Sequence, residues 1–177
     1  MEQLKPVEKS LGELFKNAPK MSEKARQSFA KYMPWIALVF GVLQLLAALT
    51  FWRAGHRLNA LYDWANEVNR LYGTGVSTHS SLGLFYWLAL IVLAASALIL
   101  LAAYPGLAAR KKSGWDWLFL GTLVNLAYGV VSIFVDDYYG GGFGRLVSAL
   151  IGSAISFYLL YQVRDIYTGK KEAPKAS

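Results

Sequence analysis

Two side-chain amides and two hydroxyls are the residues of this chain best placed to do chemistry. Gln44, Ser96, Asn125 and Ser153 each stand near the middle of a long, nearly uncharged run. An amide surrounded by hydrocarbon needs a hydrogen-bond partner, because an unpaired one costs several kcal/mol. Two uses of such residues follow. As a dry polar layer they join helices through hydrogen bonds worth about 0.6–2 kcal/mol each. As the wall of a wet path they conduct a small polar solute. The first is preferred, since amides and serines are common glue between membrane helices.

Catalytic sets are missing. The chain has no cysteine, which excludes disulfides, thiolate nucleophiles and sulfur-ligated metals. It also argues against membrane oxidoreductases that work through paired cysteines. His56 and His79 are far apart in sequence and lack a metal-ligand pattern. Asp136 and Asp137 are adjacent, which makes a poor cation cage. No P-loop, G-x-S-x-G or dinucleotide fingerprint occurs. The charged residues Asp116, Arg145 and Asp165 lie near the ends of the apolar runs. No buried carboxylate is left for a proton-coupled antiporter. The expectation is a non-catalytic protein with no cofactor and no metal.

The elements that must position the four polar residues are apolar helices. The 177 residues are 55% hydrophobic and only 16% charged, with mean hydropathy +0.34. A soluble domain would carry about a quarter charged residues. Four runs have the length of a membrane span: 34–52, 85–104, 115–135 and 143–163. Trp35 and Trp52 flank the first like interfacial anchors, and Pro34 suits an opening helical turn. The fold expected is therefore all-α, a bundle of four transmembrane helices with amphipathic surface helices. A cytoplasmic tail (1–33), a membrane domain (34–167) and a basic tail (168–177) divide it.

The tail reads as two short amphipathic helices, one bearing Leu4, Val7, Leu11, Leu14 and Phe15 on a face. The other is capped by Ser22. Between the first two spans, Leu58, Leu61, Tyr62, Ala65, Val68 and Tyr72 recur at helical spacing up to Gly73. This helix either extends the first span outward or lies flat on the outer leaflet, and the flat placement is the one expected. Pro105 and Gly106 read as the stop of the second span.

Small residues mark the packing faces. Gly121, Asn125 and Gly129 share one stripe of the third span. Gly144, Ser148, Gly152 and Ser156 form an every-fourth-residue ladder on the fourth, and Gly41 joins the small face of the first. The two stripes are expected to face each other, with Asn125 paired to Gln44. A homodimer through the fourth span is the competing use of the ladder.

The net charge is +7, yet the basic residues sit in tails and loops, so no nucleic-acid partner is expected. Of 18 Lys and Arg residues, 14 fall in the two tails and the connection between the second and third spans. That places both termini in the cytoplasm. Pro34-Trp35 with Val39-Phe40-Gly41, Leu71-Tyr72-Gly73, and Pro105-Gly106-Leu107 followed by Arg110-Lys111-Lys112 and Gly114-Trp115 carry a resemblance. On them the chain resembles a family of small, uncharacterised four-span bacterial membrane proteins. The resemblance implies a multi-pass protein of the bacterial cytoplasmic membrane and supplies no activity. The role expected is a structural or interaction component engaging lipid or another membrane protein. The alternative is a small channel or facilitator lined by Gln44, Ser96, Asn125 and Ser153.

Overall fold

In a computed structural model, residues 4–73, 83–131 and 142–169 are described, and all their regular structure is helical. The helices are α1 (Lys5–Leu14), α2 (Glu23–Tyr72), α3 (Leu84–Ala108), α4 (Lys112–Val131) and α5 (Gly142–Thr168). Three of them, α2, α3 and α5, are long and apolar enough to cross a membrane. Helix α2 packs on α3, α3 on α4 and α4 on α5, whereas α5 returns to α2 only sparsely.

Helix α2 is one continuous element of 50 residues, about 75 Å at 1.5 Å per residue. It absorbs the Ser22-capped tail helix, the first apolar run and the stretch expected to lie flat on the leaflet. That last expectation is corrected. No proline interrupts residues 53–72, so the backbone ladder propagates until Gly73 closes it in the left-handed conformation (φ 67°). Ser22 caps the start, its Oγ accepting from the Ala25 N–H at 3.3 Å. Pro34 is correspondingly internal to the helix rather than in its first turn. Proline has no N–H to offer the carbonyl four residues back, that of Ala30. Tyr167 of α5 supplies the missing donor, its hydroxyl lying 3.2 Å from the Ala30 oxygen.

Pro105 and Gly106 also lie inside a helix, since α3 runs on to Ala108. The chain turns instead at Arg110, a non-glycine residue with φ 51°. The Lys111 N–H donates to the Gly106 carbonyl at 2.8 Å and ties the turn. Gly106 and Gly114 then meet backbone to backbone across the α3–α4 hairpin.

The contiguous core lies at one end, termed proximal, where α1 and the C-terminus of α5 sit. It joins Ala30, Met33 and Ala37 of α2 with Ala103 and Leu107 of α3. Trp115 and Phe119 of α4 and Phe157, Leu160, Val163 and Tyr167 of α5 complete it. Toward the distal end, apolar side chains such as Val39, Leu43, Leu46, Ile91, Leu150 and Ile155 are exposed. Apolar surface on that scale suits hydrocarbon as the solvent. At the distal end Tyr86 locks α3 to α2, its hydroxyl donating to the carbonyls of Phe51 (3.0 Å) and Trp52 (3.2 Å). Gly55 leaves the room for that ring.

Helix α1 docks on α5 through a carboxylate. Glu8 is buried; its Oε1 accepts from Arg164 Nη2 at 2.5 Å and Oε2 lies 3.5 Å from Lys112 Nζ. The Tyr161 hydroxyl donates to the Glu8 carbonyl at 2.5 Å, and Phe15 stacks on the Tyr161 ring. Leu11 and Phe15 pack as expected from the apolar face, but Val7 and Leu14 are exposed. Glu8→Ala leaves two cations without their shared partner and is expected to weaken α1 docking by about 2 kcal/mol. Limited proteolysis between residues 15 and 20, faster in the variant by about thirtyfold, checks this.

Candidate functional site

Because α2 and α5 touch sparsely, a groove of about 300 Å³ lies along their seam, with α3 and α4 behind it. From α2 it takes Phe29, Met33, Ile36, Ala37, Phe40 and Gln44. From α3 come Ser96 and Leu100, and from α5 Ser156, Leu159 and Leu160. Helix α4 adds Leu118, Gly121, Thr122 and Asn125. The apolar walls thus meet five polar residues, Gln44, Ser96, Thr122, Asn125 and Ser156.

Three of the four polar residues named from sequence come together there: Gln44, Ser96 and Asn125. Ser153 is buried and is not among the residues lining the groove. Ser156, three positions on, takes its place, because α5 turns that side toward the seam. The expected Gln44–Asn125 pair is replaced by a Ser96–Asn125 pair. Ser96 Oγ donates to Asn125 Oδ1 at 3.4 Å. Helix α3 packs between α2 and α4, so its serine reaches the amide first. Gln44 Oε1 is consequently buried without a hydrogen-bond partner. Thr122 is a groove residue that sequence reasoning misses, although it is one helical turn from Asn125 and so shares its face. Its hydroxyl donates to the Leu118 carbonyl at 3.0 Å.

The small-residue faces resolve differently from expectation. Gly41 packs on Leu100 and Leu101 of α3, and Gly121 packs on Ile99 of the same helix. Gly129 meets Ala149 of α5 rather than the ladder. Gly144, Ser148 and Gly152 are exposed, and a methyl group added at Gly144 or Gly152 would meet nothing within 4 Å. Of the ladder, only Ser156 reaches the groove that Gly121 and Asn125 line. The register of α5 that brings Ala149 to α4 turns Gly144, Ser148 and Gly152 outward.

Among the described residues no group of three or more His, Asp or Glu side chains could hold a metal ion. His79, Asp136 and Asp137 lie outside the described residues. His56 is exposed, edge-on to Trp52 at 4.9 Å between ring centroids.

Fold and groove together define an all-helical protein with three helices long and apolar enough to cross a membrane. No family model matches the chain, and no curated protein or solved structure matches it either.

Proposed function

We propose that this is a non-catalytic, four-span protein of the bacterial cytoplasmic membrane that holds a hydroxyl-bearing lipid in the α2–α5 groove. Helix α4 is the fourth span on this reading, its apolar run continuing in sequence to about residue 135. Both termini lie in the cytoplasm, as the distribution of Lys and Arg implies. One observation carries the role: the buried, unpartnered Oε1 of Gln44 beside an apolar groove. A buried amide oxygen without a donor costs about 1–3 kcal/mol. A lipid hydroxyl arriving from the bilayer through the sparse seam satisfies it while its chain covers Phe40, Met33 and Leu159. The volume is at the small end of ligand sites, about 300–1,000 Å³. The facilitator alternative has weaker support, since Ser153 is outside the groove and most of the lining is apolar.

A long-chain alcohol carrying a diazirine tests the reading in native membranes. Crosslinks are expected to concentrate on peptides of α2 and α5. Gln44→Leu is expected to cut the yield about fivefold and to stabilise the empty protein by about 1 kcal/mol, since it removes the orphaned oxygen. An unchanged yield in the variant refutes the proposal.

A further inference from the structure

The polar residues of the α2–α5 groove are gathered toward one end. Gly41 packs on Leu100 and Leu101, so in the antiparallel α2–α3 pair Gln44 comes level with the turn of Ser96. The Ser96–Asn125 hydrogen bond brings Asn125 to the same turn from α4. Each of the three is the most distal residue that its helix gives the lining. Thr122 and Ser156 follow toward the proximal end. Beyond them the described lining is apolar: Ile36, Met33 and Phe29 of α2 with Leu159 and Leu160 of α5. From Gln44 to Phe29 the helix rises about 22 Å. The seam is tied at that proximal end. Tyr167 donates to the Ala30 carbonyl beside Phe29, and Arg26 Nε, one turn further, donates to the Gln162 carbonyl at 2.5 Å. Arg26 Nη2 lies 3.3 Å from Asp165.

Gln44 stands about 15 Å along α2 from Pro34, where the first apolar run begins. That is half of a hydrocarbon core of about 30 Å, which puts Gln44 at the bilayer midplane. A phospholipid of either leaflet keeps its headgroup at an interface and sends only methyl ends to this depth. Among the described residues lining the groove none is charged, so nothing there answers a phosphate or an ammonium. The group left unmatched is an acceptor. Ser96 and Thr122 already donate to Asn125 and to the Leu118 carbonyl, so Gln44 Oε1 must be met by a donor from outside. We infer that the groove takes an uncharged long-chain alcohol in inverted placement. Its hydroxyl donates to Gln44 at the midplane, and its chain runs along the apolar walls toward the cytoplasmic face. This placement presupposes the lipid reading proposed above and adds to it the class and direction of the ligand. An ether has no proton to give the Gln44 oxygen, and a phosphate ester would have to carry its charge to the midplane.

The test uses the full chain in native membranes and two octadecanol probes. One carries a diazirine beside the hydroxyl, the other beside the terminal methyl. The hydroxyl-end probe is expected to label α2 around Phe40 and Gln44, and the methyl-end probe around Phe29 and Met33, as mapped by fragment mass spectrometry. Gln44→Leu is expected to lower both yields about fivefold. Unlabelled octadecanol is expected to compete at least about tenfold better than its methyl ether or octadecyl phosphate. Reversed or identical labelling by the two probes, with dependence on Gln44 kept, overturns the inverted placement and leaves the lipid reading standing. Equal competition by the ether or the phosphate overturns the class of ligand. Labelling that does not depend on Gln44 overturns the lipid reading and this placement with it.

Discussion

Gly114→Ala is expected to destabilise the folded protein by about 3 kcal/mol, the upper range for overpacking a tight site. A methyl group there would run into the Leu107 amide nitrogen and the Gly106 carbonyl carbon. These are backbone atoms of a facing helix, tied by the Lys111-to-Gly106 hydrogen bond, so neither can rotate away. The same chemical change at Gly152 meets open space inside α5 and is expected to raise stability by up to about 1 kcal/mol. Reversible unfolding in mixed micelles, with helix content as the signal, compares the two. Similar midpoints for both variants would show that the hairpin is not held by close backbone approach.

The second large effect is one residue along. Trp115 is fully buried; it stacks on Phe119 at 5.1 Å and meets Tyr161 edge-on at 5.8 Å. Its indole Nε1 donates to the Leu160 carbonyl at 2.8 Å, which joins α4 to α5. Lys112 and Arg164 approach the ring at 5.5 and 5.8 Å. Trp115→Ala removes the largest side chain of the core and is expected to cost about 3–5 kcal/mol. Trp115→Phe keeps much of the packing and forfeits the hydrogen bond, an expected loss of about 1 kcal/mol. The same unfolding assay reads both. A phenylalanine variant as unstable as the alanine variant would show that the hydrogen bond outweighs the packing.

Neither effect is visible as such in the sequence. Gly114-Trp115 reads there as punctuation at the start of a span, and tryptophans at span ends are ordinarily interfacial. Trp35 is 60% exposed. Trp115 departs from that rule because α1 and the end of α5 come together over its ring, through Glu8, Tyr161 and Arg164. Nothing local in residues 112–116 signals those long-range neighbours. The same holds for Glu8, a charged residue on the polar side of an amphipathic pattern that becomes buried once Arg164 and Lys112 supply compensation.

Composition and periodicity by themselves determined the helical class, the long apolar helices and three residues of the groove's polar edge. Helices satisfy their own backbone, so the pattern of apolar runs is enough to place them. Tertiary structure decided what those helices do to one another. It merged three expected segments into one 50-residue α2, because Tyr167 supplies the donor that Pro34 lacks and no proline interrupts residues 53–72. It turned Gly144, Ser148 and Gly152 outward and set Ala149 against Gly129, because a rotation of α5 about its axis leaves no trace in residue spacing. It paired Asn125 with Ser96 and left Gln44 Oε1 alone, because hydrogen bonds between helices depend on which neighbour intervenes. That unpaired oxygen, in a seam that α2 and α5 leave incompletely closed, is a property of the packing alone.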